Sequence, residues 1–316
     1  MSTTKRNYVF NLLLTGFNIL FPVISFPYAA KILGPVGIGK VQFILSFTQY
    51  FALIAALGIP IYGVRVISQS AHDSKLLYKN LGELLSIHIV CSIIISIIYF
   101  ATIISFSFFS NDKSLYFLSA LIILMGFTSI DWYFSGIENF KLIAIRSVSI
   151  KLVSLICLFL FVKVKSDYTI YLAISLFSIL GNNIINIISV RKHITIAYQG
   201  TKKHLKPLMY TFGTTVATSM YTMLDTILIG FFADERSVGL YSASIKLTKI
   251  SIPFIISAAT VLMPRISKLF GSGDYTSLNL ILNKSFNFIV HRLFLPYCSY
   301  RPDDKTDEQI KRIAEK

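Results

Sequence analysis

Two acids and three bases share the stretch DWYFSGIENFKLIAIRSVSIK, residues 131–151: Asp131 opens it, Arg146 and Lys151 close it, and Glu138 and Lys141 lie between. The flanks, 114–130 and 147–162, are almost wholly apolar or small, with Lys151 the one charge inside the second. A charge at the centre of a membrane helix costs about 2.5–3.5 kcal/mol on insertion scales, so it needs a partner or a hydrated cavity. Asp225, Lys246 and Lys249 pose the same problem farther along, each within another apolar run. What such residues offer is electrostatic: they hold an ion or one another. No paired carboxylates, nucleophile triad or spaced His/Cys set accompanies them, so neither an enzyme nor a metal or cofactor site is expected. His72, His88, His193, His204 and His291 lack metal spacing, and Cys91 and Cys157, inside apolar runs, and Cys298, near the end, suggest no disulfide.

The elements that hold these charges must be membrane helices. The chain is 54% hydrophobic and 14% charged, with a mean hydropathy of +0.67. A span needs about 20 apolar residues, and lipid leaves backbone groups no water, so each run must be a helix; the runs are too long for barrel strands and do not alternate. An all-α polytopic bundle of about eight transmembrane helices is expected, at 8–30, 41–62, 84–109, 114–134, 143–162, 168–190, 208–232 and 239–263. A weak ninth begins at 278, where Asn283, Lys284, Asn287, His291 and Arg292 make insertion costly. The first run exceeds the roughly 7–15 residues of a secretory signal core. Its Pro22 and Pro27 interrupt helix bonding, as a packing kink or as a bending point. The link GPVGIGK (34–40) has no preceding strand and no Lys-Ser/Thr, so a helix-to-helix turn is expected rather than a phosphate loop.

The formal charge of +15 falls in short clusters between apolar runs, not along one groove, so nucleic acid is not an expected partner. The amino end and residues 65–79, 138–146, 191–206 and 265–284 carry most of the Lys and Arg and alternate with sparser links, which places the amino terminus in the cytoplasm. Four segments follow: a first six-helix lobe (1–195), a basic cytoplasmic connector (196–207), an incomplete second lobe (208–297) and a polar tail (298–316). Weak self-similarity near a separation of 200 residues crosses the connector. Ile38-Gly39-Lys40-Val41 recurs as Val238-Gly239-Leu240-Tyr241, and Arg65-Val66-Ile67-Ser68 is echoed by Pro264-Arg265-Ile266-Ser267. Many transporters are built from such repeats with the substrate at their interface.

Several blocks carry a resemblance: FPYAAKILGPVGIGKVQF (26–43), LGIPIYGVR (57–65), DWYFSGIENFKLIAIRS (131–147), LDTILIGFF (224–232), VGLYSASIKL (238–247) and VLMPRIS (261–267). In this order they resemble the polysaccharide-exporting flippases of the multidrug/oligosaccharidyl-lipid/polysaccharide exporter superfamily, in its O-antigen (Wzx-type) branch. The resemblance implies two six-helix lobes around a cavity in the bacterial cytoplasmic membrane. It implies an undecaprenyl-diphosphate-linked oligosaccharide as cargo, moved from the cytoplasmic to the periplasmic leaflet, and other polysaccharide-assembly proteins as possible partners. Lys151, Lys246 and Lys249, with Arg65 and Arg146 nearer the surface, would then attract the diphosphate. Asp131 and Asp225 would hold those cations in one state, bind a coupling ion, or act as plain packing charges, and the lysines have snorkelling to an interface as an alternative. Tyr8, Tyr28, Tyr50, Tyr62, Trp132 and Tyr133 would stack on sugars or anchor at the interface. The second lobe departs from the pattern after two helices and part of a third. A truncated, inactive fragment is therefore one alternative, and a multidrug exporter of the same superfamily, which would favour an acidic cavity, is another.

Overall fold

The computed structural model of the chain describes residues 3–191, 200–246 and 248, and among these it is helical throughout with no β-strand. Two compact units are present, Met1–Ser244 and Ile245–Lys316; Lys246 apart, everything below belongs to the first.

Helix α1 (Thr3–Ala56) has 54 residues. At 1.5 Å per residue that is about 80 Å, far more than one crossing of a core about 30 Å thick. The backbone leaves helical dihedrals at Gly34 (φ 69°, ψ 178°), not at Pro22 or Pro27. Positive φ is open to glycine without a steric penalty, and Pro35 restarts a helix where its missing N–H is no loss. The glycine-rich link is thus the expected turn, and the first two expected spans are the halves of α1. Leu57 and Gly58, both at positive φ, then hand the chain to α2 (Ile59–Ser70).

Helix α3 (Ser74–Ser105) starts ahead of its apolar run because Asp73 caps it, accepting from the backbone N–H groups of Lys75 (2.9 Å) and Leu76 (3.3 Å). The fourth expected span is broken. A 3-10 turn (Ser107–Asp112), α4 (Lys113–Ser119) and α5 (Leu121–Leu124) are followed by a second 3-10 turn (Gly126–Thr128) and α6 (Asp131–Gly136), with a 40° bend between the halves. Helices α7 (Phe140–Phe161) and α8 (Tyr168–Val190) follow their expected spans closely. In the turn between them, the backbone N–H groups of Lys163 and Val164 donate to the Asp167 carboxylate at 2.8 and 2.9 Å and hold it below the usual carboxylate range. Helix α9 (Lys202–Phe232) bends by 55° between its segments Lys202–Met220 and Met223–Phe232.

Four helical stretches among the described residues are long and apolar enough to cross a membrane, or six if each bent pair is one span. That is fewer than the eight expected, for two reasons. Leu13–Ser70 forms one stretch that contains the first two expected spans. Most of the eighth span, the ninth, and the polar tail lie outside the described residues.

Helix α3 shows what solvent the bundle is built for. Ser92, Ser96 and Tyr99 are at most 2% exposed, whereas Ile93, Ile94, Ile97 and Ile98 are about half exposed or more. Polar groups face inward and branched apolar ones outward, the arrangement that hydrocarbon selects. The inward groups tie helices together: the Tyr99 hydroxyl shares hydrogen bonds with Thr48 of α1 (2.9 Å) and Ser119 of α4 (3.0 Å).

Helix α9 lies along the second half of α1. At one end Gly58 leaves no room for a Cβ beside the Phe212 amide and Thr211, and at the other Gly230 sits against the Phe43 ring. Helix α9 therefore meets the turn between α1 and α2 at one end and α1 itself at the other.

Candidate functional site

Where α2 meets the first turns of α9, a cavity of about 480 Å³ is lined by Ile61, Tyr62, Arg65, Lys206, Pro207, Tyr210 and Thr211. Arg65 and Lys206 keep access to solvent, and neither forms an ion pair with an acid among the described residues. The walls are two tyrosine rings and an isoleucine. Such a cavity favours an anion attached to an organic body.

Behind its Tyr62 wall lies a buried polar cluster. The Tyr62 hydroxyl is 2.9 Å from Nδ1 of His204, and Nε2 of His204 is 2.9 Å from Oε2 of Glu83. With the proton on Nε2, His204 donates to Glu83 and accepts from Tyr62. Lys203 donates to the same carboxylate oxygen at 2.8 Å and to Asn80 Oδ1 at 3.2 Å. Glu83 has no solvent exposure, and its other oxygen, Oε1, has no hydrogen-bond partner among the described residues. The cluster joins α2, α3 and α9.

The structure distributes the charges marked in the sequence over several places. Arg65 lines the cavity just described. Arg146 and Asp131 are brought together: Arg146 is buried and donates to the Asp131 carboxylate at 2.5 Å, to Asn182 at 3.2 Å and to Asn186, which itself donates to Asp131 at 2.8 Å. Asp131 is half exposed, so this network reaches the surface of α6. Lys151 is half-buried between α7 and α1, hydrogen-bonded to Asn18 and 5.7 Å from the centre of the Phe21 ring. Asp225 is exposed and accepts a 2.6 Å hydrogen bond from the Tyr241 hydroxyl. Lys246 is half-buried, and Lys249 lies outside the described residues. Of the aromatic residues, Trp132 and Tyr133 are buried against α2 and its neighbours and present no free ring face, and the Tyr28 hydroxyl donates to the Val162 carbonyl at 3.1 Å.

Arg146 makes its contacts through three separate nitrogens, a geometry that a lysine ammonium does not reproduce. Arg146→Lys is therefore expected to leave buried amide groups unpaired and to cost about 1–3 kcal/mol. Thermal unfolding of the purified protein in detergent reads this as a lowered midpoint; an unchanged midpoint would show that the fork is dispensable.

Glu83, Asn80, Lys203 and His204 are not among the charges the sequence singles out. The available signal is Asp73, whose capping side chain starts α3 early enough to place Glu83 inside the helix rather than in a loop.

Among the described residues no group of His, Cys, Asp and Glu side chains is arranged to hold a metal ion. A sequence-family profile described as polysaccharide biosynthesis protein matches residues 4–270. A Shigella dysenteriae protein named as an O-antigen transporter is 26% identical over 281 residues, 86% of this chain and 69% of the relative. An Escherichia coli (strain K12) protein of the same name is 24% identical over 269 residues, 83% of this chain and 65% of the relative. The chain thus spans about two thirds of the length of these relatives. No solved structure matches it.

Proposed function

We infer that this chain, which belongs to the polysaccharide biosynthesis protein family, is a transporter that moves a lipid-linked oligosaccharide across the bacterial cytoplasmic membrane, with undecaprenyl diphosphate as the lipid carrier. The observation that carries this reading is the cavity of Arg65 and Lys206, where two solvent-accessible cations stand among tyrosine rings. A diphosphate and a glycan cannot cross hydrocarbon unaided, while a prenyl tail stays in lipid. Transport therefore calls for cations at the water-facing mouth of a helix bundle whose outer surface is apolar, and the exposed isoleucines of α3 supply such a surface.

Arg65, Lys75, Lys79, Lys202, Lys203 and Lys206 all lie near one end of the bundle, on α2, α3 and the start of α9. Positive residues favour the cytoplasm, so this end faces inward in the proposed orientation and the amino terminus is cytoplasmic. Lys151, between α7 and α1, would offer further charge along the path, and Lys246 and Lys249 are proposed from the sequence alone to add to it. The Asp131–Arg146 pair serves as a packing charge in this reading. Asp225, held by Tyr241, is the proposed site for a coupling ion. No bond is made or broken, and the process needs only binding and a change of access.

The test is complementation. Expressed in a strain lacking its own O-antigen transporter but making the cognate glycan, the chain is expected to return long-chain O-antigen to the cell surface, read as the lipopolysaccharide ladder on a gel. An inserted, stable chain that restores no ladder would overturn the reading.

A further inference from the structure

At the end of the bundle opposite Arg65, a second cavity, of about 510 Å³, opens beside Lys40 and the segment after α9. The segments 38–41 and 238–241 that flank it are the first pair of similar motifs in the sequence; of the second pair, Pro264-Arg265-Ile266-Ser267 lies outside the described residues. This cavity is close in volume to the one at Arg65 and Lys206, but its chemistry differs. Its charged lining is three acids, Asp112, Asp234 and Glu235, against two bases, Lys40 and Arg236. Lys40 is already paired, 2.9 Å from Asp112 and 3.5 Å from Glu235. A phosphate brought here would meet an excess of negative charge, so the anionic part of an amphiphile is better served at the other end.

What this cavity offers is hydrogen bonding in both directions beside an aromatic face. Asp234 accepts from the Ser237 amide at 2.8 Å through one carboxylate oxygen, which leaves the other for a second donor. Asn111 and Arg236 are exposed; an amide both donates and accepts, and a guanidinium donates through a planar fork. Phe108 supplies the face. It is about half exposed, and the rings of Phe43, Phe109 and Phe231 hold it from the covered side at 5.8, 5.1 and 5.0 Å. A sugar ring matches this set, because its hydroxyls donate and accept while its C–H face packs on an aromatic ring.

We propose that this cavity is a glycan subsite, in which Phe108 stacks on a sugar ring while Asn111, Asp234 and Arg236 pair with its hydroxyls. The proposal rests on the transport reading and deepens it. The two cavities then sort the two polar parts of one cargo, the diphosphate at Arg65 and Lys206 and the sugar here. In the proposed orientation the glycan subsite faces the periplasm.

The test is binding to the full chain purified in detergent. The probe is the repeat-unit oligosaccharide of the complementation strain, freed from its lipid diphosphate by mild acid, with inorganic pyrophosphate as the anionic counterpart. Phe108→Trp keeps a stacking ring and adds an exposed indole to the native Trp132, which is buried. The oligosaccharide should shift the emission of this protein to the blue and saturate, whereas pyrophosphate should not. Adding Asn111→Ala and Arg236→Ala should raise the half-saturating concentration about tenfold; both side chains are exposed, so their loss leaves no buried group unpaired. Saturation-transfer NMR on the chain with its native Phe108 should show contact with the sugar protons, and Phe108→Ala should remove it. No saturation transfer from the native chain, a half-saturating concentration unmoved by the two truncations, or a shift produced by pyrophosphate instead of the sugar would overturn the subsite, even in a chain that restores the O-antigen ladder. Binding does not require export, so a chain that binds the sugar as described but restores no ladder would refute the transport reading alone.

Discussion

Replacing Glu83 with alanine should destabilise the protein by about 3–5 kcal/mol, the range seen when one partner of a buried ion pair is removed. The carboxylate is fully buried and receives both Lys203 and His204 on one oxygen. Without it, His204 is left buried with Nε2 unpaired, and Tyr62 loses the group that fixed the imidazole's orientation. Lys203 is half exposed and recovers water, so Lys203→Ala should cost much less, within the 1 kcal/mol or so typical of exposed pairs. Glu83→Gln keeps an acceptor for both donors and should fall between. Thermal unfolding in detergent of the three variants orders them, with Glu83→Ala lowest; equal midpoints for Glu83→Ala and wild type would mean that the cluster does not bind α9 to α3.

The consequence of that cluster is positional. Tyr62 and Lys206 line the cationic cavity, and each is one step from the cluster: Tyr62 through its hydroxyl to His204, Lys206 through the same helical turn. The cluster therefore fixes where the start of α9 sits against α2, and so the spacing of Arg65 and Lys206. Near the other end of the second half of α1, Gly39 meets the Glu235 carbonyl and Gly239 the Pro35 carbonyl too closely to admit a Cβ, which does the same for the segment after α9. Helix α9 is held at both ends, by Gly58 of the α1–α2 turn against Phe212 and by Gly230 against Phe43 of α1.

Much of this fold can be read from residue order because hydrophobicity in lipid is a local property. The spans at α7 and α8 follow from uninterrupted apolar runs, and the turn at Gly34 follows from a Gly-Pro pair between two of them. The sequence also marks Asp131 and Arg146 as charges in need of partners, which in the structure they are for each other. The start of α3 is misplaced by hydropathy because the apolar run begins at Leu84, whereas the capping bonds of Asp73 let the helix begin ten residues earlier. That shift hides Glu83, which reads as the edge of a loop. Its partners are hidden by distance: Lys203 and His204 lie about 120 residues along the chain, in a basic stretch that reads as a solvated connector. The break at Gly126–Thr128 is equally invisible, since 3-10 geometry changes hydrogen bonding without changing hydropathy.

The double variant Arg65→Ala, Lys206→Ala is expected to abolish most O-antigen display in the complementation strain while the protein still inserts and accumulates. A charge-assisted hydrogen bond contributes about 1.5–3 kcal/mol, and because both side chains have access to water the lower figure applies, about tenfold in affinity for each. Loss of both should therefore reduce capture of an anionic headgroup by about a hundredfold, and each single variant should show a partial defect. Arg65→Lys separates charge from geometry: if the cation alone matters it should support nearly full display, whereas a bidentate phosphate contact would make it resemble Arg65→Ala. Folding is not at issue at these positions, since neither side chain has a hydrogen bond or ion pair with the described residues to lose. The unfolding midpoint of the double variant should consequently match wild type, in contrast to Glu83→Ala. Full display by the double variant would move the anion site elsewhere along the path, toward Lys151.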